Sequence, residues 1–160
     1  KENILNYIPN NLNNRISIIQ ADASNFILKK EKHKIILFDA PCSGSGVISR
    51  YPEALVLRDK KNVINNSSMQ KKIFANLYKS LMIGDIVIYS VCSIWQEECD
   101  AVIEFMLNNF KFAVDLSILD KSEINLKFND INIIRTKYGL LLPPKSNVNT
   151  GFYLSILVKQ

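Results

Sequence analysis

Two short apolar segments, each ending abruptly in a polar, cysteine-bearing loop, are the strongest constraint on how this chain folds. The segment Lys34–Phe38 ends in Asp39–Gly46, where one proline and two glycines break any regular element. The segment Asp85–Val91 ends in Cys92–Ser93. Continuous apolar runs of this length are typical of strands that are covered on both faces of a parallel sheet. We therefore expect two buried strands, each followed by a loop with reactive side chains.

A helical pattern follows each of these strands. Lys60–Met82 carries apolar residues near one face and is stopped by Gly84, and Glu97–Asn108 repeats the pattern. The apolar positions are Val63, Ile64, Ile73, Phe74, Leu77 and Leu81 in the first helix, and Val102, Ile103, Phe105, Met106 and Leu107 in the second. Further strands are predicted at Ile16–Ile19, Phe110–Leu116, Tyr138–Leu142 and Gly151–Val158, with residues 117–135 unassigned. The alternation of strands and helices favours an α/β doubly wound sheet.

The most reactive residues of the chain directly follow predicted strands. Asp22 follows the first strand, Asp39–Gly46 the second and Cys92–Ser93 the third. In an α/β sheet, ligands bind beyond the carboxyl ends of the strands. We therefore expect these three segments to surround one site.

Two cysteines and a carboxylate at such an edge suit chemistry on a pyrimidine ring. A thiolate that adds to carbon 6 makes carbon 5 nucleophilic enough to accept a methyl group, and elimination then releases the thiolate. The thiolate needs a partly exposed, electropositive setting. Asp39 would hold a protonated cytosine and spread the developing charge. The residues alone do not distinguish Cys42 from Cys92 as the nucleophile.

Composition narrows the class of partner. The formal net charge of +5 favours a polyanion, although the lysines are spread along the chain rather than clustered. The three cysteines are too few for a disulfide framework, and with His33 they lack the paired spacing of a zinc site. No apolar run is long enough to span a membrane, and no secretory leader opens the chain. We expect a reducing compartment, no metal and no membrane.

Several motifs carry a resemblance to a known family. Asp39–Gly46, continued by Arg50–Glu53, resembles the fourth motif of the RsmB/Sun/Nop family of RNA cytosine-5 methyltransferases. Ser90–Ser93, followed by two glutamates, resembles the Thr-Cys-Ser motif of that family. Leu141–Pro143 and Gly151–Tyr153 resemble its tail. The resemblance runs over residues 1–160, and the bacterial RsmB type, which modifies small-subunit ribosomal RNA, is the most similar.

The resemblance implies roles for individual residues. Cys92 would be the nucleophile that attacks the base. Cys42 would assist release of the methylated RNA. DNA cytosine-5 methyltransferases instead use the thiol of the corresponding Pro-Cys motif as the nucleophile. The implied methyl donor is S-adenosylmethionine, and the residues implied to contact it are Asp22, Asp39, Ala40 and Pro41, with Asp39 also a catalytic candidate at the cytosine. A weaker prediction assigns phosphate contacts to the basic residues Arg50, Arg58, Lys60 and Lys61.

The chain also departs from the family. Val91, Gln96 and Cys99 stand where the family usually has Thr, Pro and Asn, and these changes remove neither thiol nor carboxylate. The Gly-rich cofactor loop of the family should precede Lys1. We therefore expect residues 1–160 to be the C-terminal portion of a single Rossmann-like methyltransferase domain, without the N-terminal strands and that loop. One sheet edge, beside Lys34–Phe38, is then expected to be exposed.

Three alternatives stay open. The chain could be a truncated, cofactor-free RNA-binding or assembly module that uses only its basic face. A thiol redox protein would use Cys42 and Cys92, but the chain lacks Cys-x-x-Cys spacing. An amino-group methyltransferase would favour an Asn/Asp-Pro-Pro-aromatic turn in place of Asp39–Cys42.

Cys99 is predicted to be structural, and Trp95 either packs or stacks on a base. The expected compartment is the cytoplasm, or the nucleolus or an organelle in a eukaryote.

Overall fold

The structure, a computed structural model, describes residues 16–28, 35–48, 52, 59–117, 132–145 and 150–160. Within these residues strands and helices alternate. The strands are β1 (Ile35–Asp39), β2 (Ile86–Val91), β3 (Phe112–Val114), β4 (Ile134–Arg135), β5 (Leu140–Leu142) and β6 (Phe152–Lys159). The helices are α1 (Lys60–Tyr78) and α2 (Asp100–Asn109), and Ser45–Val47 and Gln96–Glu98 form two 3-10 turns.

The described strands form one sheet in the order β1-β2-β6-β5-β4, with β3 also paired to β6. β1 and β2 are parallel, and their register pairs Ile35 with Ile86 and Asp39 with Ser90. The remaining pairs are antiparallel. The α/β class is therefore confirmed, with a mixed rather than an all-parallel sheet. Because parallel neighbours end at the same edge, the loops after β1 and β2 meet there.

Both described helices pack on one face of the sheet. Phe38 of β1 and Tyr89 of β2 point to that face, where Phe74 of α1 is fully buried. Edge-on and tilted aromatic contacts join these rings, with centroids 5.6 Å apart for Phe38 and Tyr89 and 6.4 Å for Phe38 and Phe74. The other core residues include Ile73, Val87, Val91, Val102, Ile103, Met106, Tyr153 and Leu157.

The opposite face of β1 is open in the described part of the chain. Ile35 is 63% exposed and Leu37 is 67% exposed. β1 has β2 as its one neighbour among the described strands, so its outer edge is unpaired, as expected from the sequence. The expectation that this strand is covered on both faces is wrong for the described residues, because α1 and α2 both lie on the Phe38 side.

The predicted strand at Ile16–Ile19 is wrong. These residues are irregular, and Ile16 and Ile19 are 43% and 62% exposed. A strand needs a neighbour to satisfy its backbone groups, and no described strand pairs with this segment. The residues that follow pack on α1 instead, where the side-chain amide of Asn76 donates to the carbonyls of Ala23 and Phe26 at 3.1 and 2.7 Å.

α1 ends at Tyr78, a turn earlier than predicted. The backbone N–H groups of the next three residues bond carbonyls three positions earlier, which tightens the chain out of the helix. Gly84, with φ 85°, lies in the separate turn before β2. Ile64, predicted on the apolar face, is 49% exposed, and the buried face instead includes the polar side chains of Ser67 and Gln70.

The predicted helix Glu97–Asn108 is split into two elements. Gln96–Glu98 is a 3-10 turn, and Cys99, at φ −107° and ψ −111°, separates it from α2. α2 buries Val102, Ile103 and Met106, as predicted. The break separates α2 from the turn that carries Glu98, and this turn follows the Cys92 loop.

Candidate functional site

The loops that follow β1 and β2 run side by side at the carboxyl edge of the sheet. Backbone bonds continue past the strand ends, from Ala40 N–H to the Ser90 carbonyl at 2.9 Å and from Gly46 N–H to the Cys92 carbonyl at 3.0 Å. The sulfur atoms of Cys42 and Cys92 are 3.2 Å apart and are not joined by a disulfide. The structure therefore brings the two predicted thiols into direct contact.

By its geometry, either thiol could donate in this contact. Contact with the Cys92 sulfur, followed by burial, raises the pKa of the Cys42 thiol, and the nearby carboxylate of Glu98 adds to the effect. Cys42 therefore stays protonated at neutral pH. A protonated Cys42 can donate a hydrogen bond to the sulfur of Cys92, which is the arrangement expected if Cys92 carries the nucleophilic charge.

Asp39 ends β1 and is exposed. It points away from the helices, since its neighbour Phe38 faces them and side chains alternate along a strand. The Ser90 hydroxyl of β2 donates to Asp39 Oδ1 at 3.0 Å. Of the two residues that follow, Ala40 is buried and Pro41 is exposed. The Asp39 carboxylate therefore lies where the parallel strands end and is accessible to a ligand.

Glu98 is a site residue that the sequence-based predictions omit. Its side chain is fully buried. Oε1 accepts the Ser43 backbone N–H at 2.8 Å, and Oε2 accepts the hydroxyls of Ser43 at 2.7 Å and Ser93 at 2.5 Å. These serines directly follow Cys42 and Cys92. The signal for a buried Glu98 was its position four residues before Val102, which puts both on one face of a helical pattern.

Buried polar side chains of α1 and β2 support the same loops. Gln70 donates through Nε2 to the Pro41 carbonyl at 2.7 Å. The Tyr89 hydroxyl lies 3.1 Å from Gln70 Oε1 and 2.6 Å from the Glu98 carbonyl. Burial is the main cause that raises the pKa of Tyr89, so its hydroxyl keeps the proton that it donates. The Cys42 loop is therefore held from the helix side as well.

Of the remaining predicted site residues, the structure describes Asp22 and Lys60, which lie outside the two cysteine loops. Asp22 is exposed and accepts the Ser24 backbone N–H at 2.9 Å, a local bond that is the main cause of its lowered pKa. Lys60 is exposed at the first residue of α1. Arg50 and Arg58 lie outside the described residues. The binding roles of these four residues stay predictions.

Two further residues beside Cys92 differ in exposure. Cys99 is 5% exposed, and its thiol lies 3.6 Å from the Ser93 carbonyl, which fits the structural role predicted for it. Burial is the main cause that raises the pKa of Cys99. Trp95 is 50% exposed, so its ring is accessible rather than packed in the core. An exposed indole next to a reactive loop can stack on a nucleic acid base.

Within the described ranges, no group of His, Cys, Asp and Glu side chains is arranged to hold a metal ion. In the same residues, no helix has the length and apolar character needed to cross a membrane.

Gly46 and Gly151 let the Cys42 loop approach the start of β6 closely. The Gly151 N–H donates to the Gly46 carbonyl at 2.6 Å. A Cβ atom on Gly46 would lie 2.1 Å from the Gly151 carbonyl oxygen, well inside van der Waals contact. The loop that carries Cys42 can therefore reach its position only with glycine at residue 46.

Comparisons with known proteins agree with the resemblance seen in the motifs. A family model described as 16S rRNA methyltransferase RsmB/F matches residues 3–158. The ribosomal RNA small subunit methyltransferase B of Pectobacterium carotovorum is 30% identical over 125 residues, covering 78% of this chain and 26% of that protein. Its counterpart from Shewanella oneidensis is 28% identical over 148 residues, covering 91% and 32%.

A solved structure shares the fold. The crystal structure of NSun6 from Pyrococcus horikoshii with SFG superposes with a TM-score of 0.63 at 21% identity, covering 89% of this chain and 34% of that chain. This likeness shows a Rossmann-like α/β sheet. The chain spans 26% of the Pectobacterium protein and 32% of the Shewanella protein.

Gly46→Ala tests the close approach of the two glycine backbones. The added methyl group forces the Cys42 loop and β6 apart, and we expect it to lower the free energy of unfolding by roughly 1–3 kcal/mol. Gly84→Ala is the matched control, since a Cβ there meets no atom within 4 Å and only backbone strain is added. Urea unfolding measures both. A Gly46→Ala chain as stable as wild type would contradict the observed packing.

Proposed function

The chain belongs to the RsmB/F family of 16S rRNA methyltransferases, and on that premise we propose that it transfers a methyl group from S-adenosylmethionine to carbon 5 of a cytosine in small-subunit ribosomal RNA. The observation that carries the proposal is the 3.2 Å contact between the Cys42 and Cys92 sulfurs at the carboxyl edge of the sheet. Cytosine carbon 5 is a poor nucleophile, and a thiol is the side chain that activates it by covalent addition.

Cys92 is the proposed nucleophile. Its sulfur forms a bond to carbon 6 of the cytosine, and ring electrons move to carbon 5. Once carbon 5 carries the methyl group, loss of the carbon 5 proton and cleavage of the sulfur–carbon 6 bond restore the ring and the thiolate. Asp39 is proposed to hold the protonated ring nitrogen while charge develops.

Cys42 is proposed to assist the release of the product. It is protonated and lies 3.2 Å from the Cys92 sulfur. A hydrogen bond from Cys42 stabilises the charge that returns to Cys92 as the bond to carbon 6 breaks. The assignment of attack to Cys92 and release to Cys42 follows the family resemblance. The 3.2 Å contact between the two sulfur atoms is compatible with it.

The residues at the edge of the sheet fit the proposed cofactor. S-adenosylmethionine carries an ammonium group and a sulfonium centre, and Asp39 offers an exposed carboxylate where ligands of such sheets bind. Ala40 and Pro41 would line the methionine end, and Asp22 would contact the adenosine. When bound, the cofactor supplies an electrophilic methyl group.

The wider biological setting is also a proposal. Residues 1–160 are proposed to be the C-terminal portion of one methyltransferase domain that works in the cytoplasm. The formal charge of +5 suits an RNA substrate through counterion release. Arg50, Arg58 and Lys60 are the proposed phosphate contacts, and Trp95, half exposed beside Cys92, is available to stack on a base.

Binding of S-adenosylmethionine separates the enzyme from the alternative of a cofactor-free RNA-binding module. We expect calorimetric titration of the native protein to give a saturable heat of binding with one site. A folded native protein that binds 16S ribosomal RNA and gives no heat with S-adenosylmethionine would favour the module. S-adenosylhomocysteine, which lacks the methyl group, serves as a competitor that should displace the cofactor.

Cys92→Ala removes the proposed nucleophile. In the native protein we expect the rate of methyl transfer to 16S ribosomal RNA to fall at least about 1,000-fold, because no other side chain replaces the covalent step. Transfer of a tritiated methyl group measures the rate. Cys99→Ser, the change at the third cysteine, should leave most of the activity. Turnover by Cys92→Ala at the wild-type rate would contradict the assignment of Cys92 as the nucleophile.

Cys42→Ala is expected to slow release rather than attack. The covalent protein–RNA adduct should then accumulate, because the Cys92 sulfur loses the hydrogen bond that favours its departure. A band that survives denaturing electrophoresis and disappears with ribonuclease detects the adduct. The double change Cys42→Ala and Cys92→Ala should abolish it. If Cys42→Ala accumulates no adduct, the release role for Cys42 is wrong.

A further inference from the structure

We propose that Glu98 is a positioning residue that holds the Cys42 and Cys92 loops at the separation that product release requires. Ser43 and Ser93, the residues directly after the two cysteines, both donate to its carboxylate. One buried side chain thus joins two loops that are distant in sequence. The catalytic meaning of this role rests on the proposed function, whereas the positioning itself can be measured without it.

Only one assignment of hydrogen-bond donors and acceptors satisfies the hydroxyl groups around Glu98. An ionised carboxylate only accepts, and a serine hydroxyl has a single proton to donate. Ser93 gives its proton to Glu98, so it must accept from the Ser45 hydroxyl 3.1 Å away. Ser45 in turn accepts the Ile94 backbone N–H at 3.1 Å. The bonds form a continuous chain that crosses between the loops and starts at Glu98.

Burial makes this arrangement sensitive to the carboxylate. Glu98 is fully buried, and Ser43 and Ser93 are 2% and 0% exposed. Without the carboxylate, one backbone N–H and two hydroxyls would lose their acceptor in a place that water does not reach. Buried donors without partners are costly, so the loops would move to satisfy them. Movement of either loop changes the distance between the two sulfur atoms.

The two thiol functions differ in how much they depend on that distance. Attack on the base needs only the sulfur of Cys92. Assistance from Cys42 needs the hydrogen bond across 3.2 Å, and such bonds weaken steeply with distance and angle. Loss of Glu98 should therefore impair release more than attack.

The rate of disulfide formation between Cys42 and Cys92 measures the positioning directly. Diamide, an azo compound, takes two electrons and two protons from the thiols and leaves a disulfide and a hydrazine derivative. Mass spectrometry of the linked peptides follows the product in the full chain. We expect Glu98→Ala to slow the reaction at least about tenfold, since misplacement of reacting atoms by an ångström has effects of that size or larger. Ser93→Ala removes the hydrogen bond between Ser93 and Glu98 and should also slow disulfide formation.

Asp100→Asn is the control for a carboxylate that accepts a similar number of hydrogen bonds away from the cysteine loops. Asp100 also accepts three hydrogen bonds, from Tyr153, Thr136 and Lys137, but these join α2 to β6 and to the turn between β4 and β5. This variant should cross-link at the wild-type rate. A folded Glu98→Ala chain that cross-links at that rate overturns the proposal; if Glu98→Ala does not fold, Ser93→Ala decides in the same way. Unfolding of both, with Asp100→Asn folded, also overturns it, because Glu98 then serves overall stability.

Adduct measurement in the native protein gives the catalytic readout. Glu98→Ala should accumulate the covalent protein–RNA adduct, as expected for Cys42→Ala, whereas a merely destabilised protein loses adduct and turnover together. Parallel loss of both would overturn the catalytic part of the proposal. Slower cross-linking in Glu98→Ala, combined with a wild-type protein that transfers no methyl group and a Cys42→Ala protein that forms no adduct, would remove the proposed function and leave the positioning role intact.

Discussion

The parallel pairing of β1 with β2 determines where the parts of the site lie. Two parallel strands end at the same edge, so the segments that follow them run side by side. Backbone bonds at Ala40 and Gly46 extend this contact into the loops. A slip of one residue in the register would turn the side chains of β1 to the other face of the sheet. Asp39 would then lose Ser90, and Cys42 would no longer lie against Cys92.

Polar side chains, rather than apolar packing, specify the arrangement of the loops. Gln70, Tyr89 and Glu98 are all buried. Gln70 bonds the Pro41 carbonyl and Glu98 bonds the hydroxyls of Ser43 and Ser93, while Tyr89 bonds the Glu98 carbonyl. Apolar residues of equal volume would fill the same space without selecting which groups meet. A fully satisfied polar network in a low-dielectric interior is both directional and cooperative. Such a network favours one arrangement of Ser43 and Ser93 over its alternatives.

The sequence predicted the strands and the edge of the sheet better than it predicted the contacts around them. β1 and β2 were recognisable because apolar runs followed by Pro, Gly and Cys have few other interpretations. The apolar pattern of Ile16–Ile19 is the same with or without a partner strand, so it could not reveal that the partner is absent from the described residues. Periodicity also carries no direction, and β6 could not be identified as antiparallel. Glu98 was missed because a charged residue is normally solvated. The cofactor role of Asp22 came from the resemblance, whereas the phosphate role of Lys60 came from its place in a basic cluster.

The position of β6 has a consequence for the synthesis of the protein. This strand pairs with β2 on one side and with β3 and β5 on the other, although it follows all of them in the chain. Ile86, for example, pairs with Val158. Until residues 152–159 have left the ribosome, β2 has no neighbour on that side and β3 has no neighbour in the described sheet. Contacts between residues so far apart in sequence form slowly, because a long loop must close first. The nascent chain therefore exposes apolar strand edges until β6 emerges, which is the stage at which chaperones bind such edges.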